Sequence, residues 1–542
     1  MNGKPEIESI IVTATRRRVD ARDVAAAVTP IGADQIRQAG AAVLAEALRG
    51  AAGAFFQQTT PGQGTPIVRG LKGSQVLHLV DGMRLNNAFF RDAPNQYLAL
   101  VDPFLIDRIE VLRGAAGSLY GADALGGVVA LASRETRFDS ESTRQTARLH
   151  GRYDSADSGL IAHAEAAVGN RHGSLAGGVT WQQRRDRRTG NGETVRPSGY
   201  ESRAGNLKLL LPDPWGGEWL VQAQALEQPS TPRVDELVPG FGQDEPSSET
   251  WLYEPNRRTF LHARYRGDSA APRLDSWEVN VARQVIVDDR RTRDLGSPIE
   301  NREQNESTLD GLTGQLRALL NDRLDLVLGG EIYRDEVRSS RQLVHVETGE
   351  SEDARGRFPD RATQDSDAVY AQLNWTGPAW PEPGALAVEG GLRYSRFDLM
   401  LPAEAGQQPV NLTPDDVTGD LRIRFAVTRK LQLLANIGRG FRPPNIFDLG
   451  ALGPRPGNRF NVANPLLAPE TVWSYDLGLR AWGERWQVEG FLFHLDYRDK
   501  IASVPTGDIT DSGRIVVRSE NRAEASVSGL ELAATWGLTD TL

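Results

Sequence analysis

The sequence has no cysteine, no long apolar segment and no visible leader. Its 542 residues therefore form no disulfides, thiolate metal sites or thiol nucleophiles. No run approaches the roughly 18 apolar residues that a membrane-spanning helix needs. The polar segment from Met1 to Glu6 carries no apolar stretch of the kind found in a secretion signal. If the protein is exported, its signal has been removed or the chain is a fragment.

Signs of enzymatic chemistry are also scarce. The seven histidines are scattered singly, and neither H-E-x-x-H nor G-x-S-x-G occurs. The formal net charge of −10 argues against a nucleic-acid partner, which would require a basic face. We therefore expect no enzymatic activity, no cofactor, no bound metal and no nucleic acid.

Alternation of apolar and polar residues is abundant from about residue 145 onward. Every odd position from Leu421 to Val427 is apolar, and arginine occupies positions 422 and 424. Such segments are close to the roughly 9–11 residues of a tilted membrane strand, and charges at inward positions suit a polar lumen. A soluble two-sheet protein would also alternate. We count about sixteen candidate strands between residues 145 and 538.

The preceding region, residues 31–138, is predicted to form a small α/β unit. Leu44 and Leu48 have the i, i+4 spacing of a helix within residues 42–49, and residues 33–38 are also predicted to be helical. Asp81-Gly82 lies between two β-rich runs, which is a strong hairpin signal. His78 in the first of these runs is interpreted as a packed residue.

A glycine-rich run follows the β-rich segment Ile109 to Leu112. Residues 113–129 contain five glycines, but no Lys-Ser or Lys-Thr follows in the frame of a phosphate-binding loop. Glycine at this density allows backbone to pack against backbone. The run resembles the plug signature of TonB-dependent outer-membrane receptors. The matching positions are Arg113, Gly114, Ser118, Tyr120, Gly121, Ala124, Gly126 and Gly127.

Other motifs in chain order resemble the same family. An extended, β-branched segment near the N-terminus is similar to the TonB box, which pairs with TonB by strand addition. Its residues are Glu8, Ser9, Ile10, Ile11, Val12, Thr13 and Ala14. Val68-Arg69-Gly70 and Val80-Asp81-Gly82 match plug positions, and residues 440–444 and 464–470 resemble paired boxes of the barrels.

The resemblance implies a mainly β fold: a transmembrane antiparallel β-barrel with a small α/β plug inside. Complete receptors of this type have about 22 strands, so we expect about six to be missing at the C-terminus. The expected domains are residues 1–30 with the TonB box, 31–138 as the plug and 139–542 as an incomplete barrel. The expected location is the outer membrane of a Gram-negative bacterium, as a monomer among its lipids.

The resemblance also implies particular site residues. Plug arginines of this type pair with acids on the barrel wall, so Arg69 and Arg113 are expected to meet Asp476 and Glu531, which have inward parity. The predicted ligand contacts at the plug apex are Phe89, Phe90, Arg91, Asn95 and Tyr97.

The expected ligand is a scarce iron chelate, either a ferric siderophore or haem. Haem receptors of this family usually carry a ligand histidine between the paired boxes, and residues 445–463 contain none. Cobalamin, another metal complex or an oligosaccharide remains an alternative ligand. A passive porin-like barrel is the less favoured alternative class.

Overall fold

The computed structural model describes residues 11–12, 16, 19–91, 97–268, 273–404 and 408–538. Strands dominate in two units, an N-terminal plug and a large sheet that surrounds it. Among the described residues, no helix is both long and apolar enough to cross a membrane.

The plug is built on a five-stranded sheet with the order β3-β9-β10-β7-β8, in which β10 runs parallel to β7. Its strands are β1 Ile11–Val12, β2 Val19–Asp20, β3 Val28–Gly32, β4 Ala54–Gln57, β5 Thr65–Val68, β6 Leu71–Lys72, β7 Val76–Val80, β8 Met83–Arg84, β9 Ile106–Arg113 and β10 Gly127–Ser133. Its α-helices are α1 Ala33–Gln38 and α2 Gly117–Tyr120, and short 3-10 helices span Ala21–Asp23, Leu44–Leu48, Gly73–Gln75, Tyr97–Leu100 and Pro103–Leu105.

The predicted plug elements are present, with two differences. The helix at residues 33–38 and the hairpin around Asp81-Gly82 are confirmed. The second predicted helix is a 3-10 helix of five residues, Leu44–Leu48. The sheet also begins at Val28, three residues before the predicted start of the plug, because β3 pairs with β9.

The second unit is one sheet of 21 strands, in which almost every neighbouring pair is antiparallel. Its strands are β11 Arg144–Asp154, β12 Gly159–Asn170, β13 Gly173–Arg184, β14 Tyr200–Pro212, β15 Gly217–Gln228, β16 Thr231–Pro232, β17 Ser248–Asp268, β18 Leu274–Asp294, β19 Ile299–Asn321, β20 Leu324–His345, β21 Ser351–Ala354, β22 Ala362–Thr376, β23 Leu386–Leu401, β24 Val410–Leu412, β25 Asp415–Thr428, β26 Leu431–Arg442, β27 Gly453–Arg455, β28 Arg459–Val462, β29 Glu470–Trp482, β30 Trp486–Ile509 and β31 Ile515–Trp536. Two short helices lie in its connections, α3 Val234–Leu237 and α4 Ile446–Gly450.

Sixteen of these strands, counted over the described residues, have eleven residues or more. That number agrees with the sequence-based count. No pairing joins β11 to β31 in the described part of the chain, so these two are the edge strands.

The predicted alternation places apolar side chains outside and polar ones inside. In β23, Leu392 and Tyr394 are 65% and 43% exposed, whereas Glu389 and Arg393 are 3% and 4% exposed. The inward side chains are buried because the plug fills the space that the sheet encloses. A wide polar lumen occupied by a separate domain follows from this arrangement.

The long strands exceed the predicted length of about ten residues and reach 24 in β30. One end of the sheet has turns as short as residues 322–323 and 429–430, and we name it the short-turn end. The other, the long-connection end, has connections such as 229–247 and 443–469. At this end the two strands of a hairpin continue to pair beyond the segment in which apolar and polar residues alternate. The alternation therefore marks only part of the length of each long strand.

Close backbone contact explains the glycine-rich run. A Cβ on Gly117 would lie 2.2 Å from the carbonyl oxygen of Arg439 in β26, and Thr418 Oγ1 donates a hydrogen bond of 2.8 Å to the Gly117 carbonyl. Gly127 has a φ of +153°, and its Cβ would lie 2.2 Å from the carbonyl oxygen of Leu112. The run therefore seats the plug directly on the barrel wall.

Gly117→Ala is expected to destabilise this seat, because the neighbouring atom is backbone and has little freedom to move. Overpacking of this kind typically costs about 1–3 kcal/mol. Gly32→Ala is the matched control, since nothing lies within 4 Å of its Cβ position and its φ is −80°. Thermal unfolding should show a lower Tm for Gly117→Ala alone. Equal Tm values for the two variants would contradict the contact.

Candidate functional sites between plug and barrel

A buried group of charges joins the plug to the barrel wall. Arg69 donates two hydrogen bonds to Glu531, at 2.9 and 3.0 Å, and lies 2.6 Å from Asp476. Arg113 donates to Glu531 and to Glu489, each at 2.9 Å. We name these five residues the plug–barrel ion cluster. The structure thus brings together all four residues that were predicted to pair, and it adds Glu489.

Local structure fixes the position of each arginine. Arg69 follows β5 in a left-handed turn, with φ values of +50° at Arg69 and +82° at Gly70. Arg113 ends β9, where the glycine-rich run begins. Both guanidinium groups also lie over aromatic rings, Arg69 at 4.4 Å from the ring centre of Phe493 and Arg113 at 5.9 Å from that of Phe491.

The cluster excludes water almost completely. The side chains of Arg69 and Arg113 are 0% and 1% exposed, and that of Glu531 is 5% exposed. Burial alone would lower the pKa of the Arg69 guanidinium, but its hydrogen bonds to Glu531 and the nearby Asp476 raise it above its ordinary value. The cluster is therefore a set of charges that stabilise one another only while the plug stays docked.

Sequence reasoning missed a second layer of this cluster. Arg480 pairs with Glu489 at 2.6 Å and donates to the carbonyl oxygens of Val24 and Ala26 at 2.8 and 3.1 Å. Arg480 shares the inward parity of Asp476 on β29, and that signal could have identified it. This layer attaches residues 24–26, near the start of the plug, to the same part of the wall.

Glu531→Ala is expected to destabilise plug docking strongly, because one carboxylate serves both arginines. Removing one partner of a buried pair typically costs about 3–5 kcal/mol. Glu520→Ala on the same strand is the control, because Glu520 pairs with Arg518 at the surface, where such a pair contributes little to stability. Urea unfolding of the plug would measure both. A Glu531→Ala variant as stable as the control would rule out a stabilising role for the cluster.

The N-terminal segment carries a second contact with the barrel. Of the predicted TonB box, Ile11 and Val12 form β1, which pairs with β2, whereas Glu8, Ser9, Ile10, Thr13 and Ala14 lie outside the described residues. Arg16 lies between the two strands in the sequence. Both strands are short, so the pairing is a weak one by itself.

Arg16 inserts between plug and barrel. Its guanidinium pairs with Glu331 of β20 and lies 4.7 and 5.3 Å from the ring centres of Tyr120 and Tyr370. It also donates to the carbonyl oxygen of Leu119 at 3.3 Å. Glu331 receives a second arginine, Arg393 of β23, at 2.8 Å. Arg16 is thus bound at the same interface that holds the glycine-rich run.

The predicted apex residues are largely packed rather than open. Phe89, Phe90 and Tyr97 are at most 1% exposed. Phe89 stacks on Phe358 with 4.9 Å between ring centres, and Tyr97 donates to Asp288 at 2.8 Å. Asn95 lies outside the described residues. These aromatic rings pack together beneath the long-connection end of the barrel.

Residues that follow the first barrel box contact the apex from the long-connection end. The connection after β26 brings Ile446 N–H to the carbonyl oxygen of Ala88 at 2.9 Å, and the Asn445 amide donates to the carbonyl oxygen of Phe90. From the wall, Asp335 accepts from Ala88 N–H at 2.6 Å. Residues 445–446 therefore couple a long connection to the plug apex.

A cavity of about 220 Å³ opens next to this contact at the long-connection end. Arg91 is the one predicted apex residue, among those described, that lines it. We name it the basic cavity, because its charged lining consists of Lys72, Arg91, Arg290, Arg357, Arg455, Arg459 and the single carboxylate Asp235. No group of three His, Cys, Asp or Glu side chains suited to a metal ion occurs in the described part of the chain.

A membrane-type barrel whose lumen is filled by a docked domain is the architecture of a plugged transport barrel. The chain belongs to the TonB-dependent receptor family. Residues 222–542 match the family described as TonB dependent receptor-like, beta-barrel, and residues 20–128 match the TonB-dependent receptor plug domain.

Individual relatives differ in what they are named for. The chain is 25% identical to the vitamin B12 transporter BtuB of Photobacterium profundum, over 97% of this chain and 75% of that protein. It is 22% identical to the heme/hemopexin utilization protein C of Haemophilus influenzae, over 87% and 71% respectively. Among solved structures, the copper transporter OprC has a TM-score of 0.77 at 21% identity, covering 92% of this chain and 74% of that one, which shows the shared fold.

Proposed function

We propose that this protein is an outer-membrane receptor that binds a scarce metal chelate, foremost an iron chelate, and imports it by TonB-driven rearrangement of the plug. The observation that supports this is the lumen itself: the plug fills it and is held by the buried plug–barrel ion cluster. A solute cannot diffuse past such a plug. The proposed cycle has no covalent step.

The outer face of the sheet supports the membrane location. Leu392, Leu477 and Leu530 are each more than half exposed on outward positions. Five exposed tryptophans of the strands lie near the strand ends at the short-turn end, which is the expected position of an interfacial aromatic belt. They are Trp219, Trp277, Trp375, Trp486 and Trp536. On this basis the short-turn end faces the periplasm, the long-connection end faces outside, and a monomer is surrounded by lipid.

An iron chelate is proposed as the first candidate, because the chain matches a relative named for heme over 87% of its length and has the fold of a ferric citrate transporter. Cobalamin is the second candidate, because the relative named for vitamin B12 matches nearly the whole chain. A passive porin-like barrel is disfavoured by the filled lumen.

Contacts at the two ends of the plug link ligand binding on the outer side to the N-terminal segment on the periplasmic side. A ligand above the apex would contact the connection that holds Ala88 and Phe90. If it binds more tightly to the plug arrangement in which the N-terminal segment is released, it would favour that arrangement over the docked one. At the opposite end, Arg16 and β2 hold Ile11 and Val12. Release of this segment would free a β-branched strand to add to the edge of a sheet in TonB.

Ile11→Pro should abolish uptake while leaving ligand binding intact, because proline removes a backbone donor from the added strand. Ile11→Val is the matched control, since it keeps both the N–H group and the β-branched side chain. Growth on limiting iron and equilibrium binding to whole cells would be measured together. Uptake by Ile11→Pro at the level of Ile11→Val would refute the box assignment.

Arg16→Ala should raise capture of TonB by the receptor in the absence of ligand, because the segment after the box loses its ion pair and two ring contacts. Arg37→Ala is the control, since Arg37 lies on α1 and pairs with exposed Asp34. Capture by the purified periplasmic part of TonB would be compared with and without ligand. If Arg16→Ala and Arg37→Ala capture equally, Arg16 does not restrain the box.

A further inference from the structure

The basic cavity carries more positive charge than the carboxylates around it neutralise. Arg290 pairs with Asp288 at 2.6 Å, and Arg357 pairs with Glu303 at 2.7 Å. Asp235, the only carboxylate in the described lining, is itself paired with Arg233 at 2.6 Å. Burial lowers the pKa of Arg357 to about 10, which leaves it charged at neutral pH.

Two cations of the lining stand apart from these pairs. Within the described part of the chain, neither Lys72 of β6 nor Arg459 of β28 makes an ion pair. Lys72 comes from the plug and Arg459 from a long connection. Arg455, on the strand paired with β28, donates to Ser503 at 2.8 Å and so places a further guanidinium at the rim.

The chemistry of such a space selects its occupant. A bare metal cation would be repelled by six positive side chains, and a neutral molecule would leave the charges of Lys72 and Arg459 without a counter-charge. Guanidinium groups match planar carboxylates and other oxyanions by paired hydrogen bonds. The volume of about 220 Å³ is also below the roughly 300–1,000 Å³ of cavities that enclose drug-sized ligands. A compact ligand with several negative charges satisfies all of these conditions.

We infer that the basic cavity binds a compact polyanionic metal chelate, with Lys72 and Arg459 supplying the positive charge that no protein carboxylate neutralises. The inference rests on the proposed import function and specifies its ligand class. It selects against cobalamin, which is large and carries no net negative charge. Arg91 places the same ligand against the apex, so that occupancy of the cavity is linked to the plug.

The test is equilibrium binding to the complete receptor in detergent, at low and high salt. The probes are ferric citrate, a ferric tris-catecholate complex and cyanocobalamin. The variant Lys72→Gln/Arg459→Gln should keep its fold, because neither side chain holds a pair. Arg196→Gln, an exposed arginine in the connection 185–199, is the matched control.

We expect at least one anionic chelate to bind, with affinity about tenfold or more weaker in the double variant and at high salt, and unchanged in Arg196→Gln. Binding of neither anionic chelate, equal binding by the double variant, or preference for cyanocobalamin would overturn the inference. Uptake assays separate this result from the proposed function. TonB-dependent uptake of cyanocobalamin alone would support the import function and refute the proposed ligand class. Anion binding with TonB-independent uptake would support the ligand class and refute TonB-driven import.

Discussion

The rest of the structure depends on buried charge between plug and barrel. An inward-facing strand surface in a wide barrel is polar, so any domain that fills the lumen must meet that surface with complementary charge. Arg69 and Arg113 do so through Glu531, Asp476 and Glu489. Such pairs are stable when complete and costly when one partner is exposed alone. This property suits a plug that stays docked at rest and leaves its seat only when work is done on it.

Three sets of contacts join the plug to the rest of the protein, and each is involved in one step of the proposed import cycle. The apex is tied to a long connection through Ala88 and Phe90, the middle is held by the plug–barrel ion cluster, and the N-terminal segment is held by Arg16 at Glu331. The signature glycines lie between these contacts and bring the plug backbone against β26. A ligand at the outer end and a protein partner at the inner end would therefore act on the same set of contacts.

Much of this could be predicted from the sequence, and the remainder has physical reasons. Strand parity placed Asp476 and Glu531 on the inner face, and the glycine-rich run indicated close backbone packing. The length of the strands could not be predicted, because strand pairing continues beyond the segment in which apolar and polar residues alternate. Burial of Phe89, Phe90 and Tyr97 depends on Phe358 and Asp288, which come from distant strands and connections. The basic cavity likewise collects residues from β6, β18 and β28, which no local pattern brings together.

The most direct test of the account is to lock the plug to the wall with a disulfide. The chain has no cysteine, and a Cβ on Gly440 would lie 3.6 Å from that of Ala115, which is within the range of disulfides. The same Cβ would lie 2.9 Å from Leu125 Cδ2 and 3.0 Å from Val472 Cγ1, so the reduced double variant is the control for this crowding. Uptake of radioactive iron supplied as an anionic chelate would be measured for the double variant Ala115→Cys/Gly440→Cys, oxidised and then reduced. The account predicts that the oxidised receptor binds the chelate but does not import it, and that reduction restores import. Undiminished import by the oxidised receptor would show that the plug need not leave its seat.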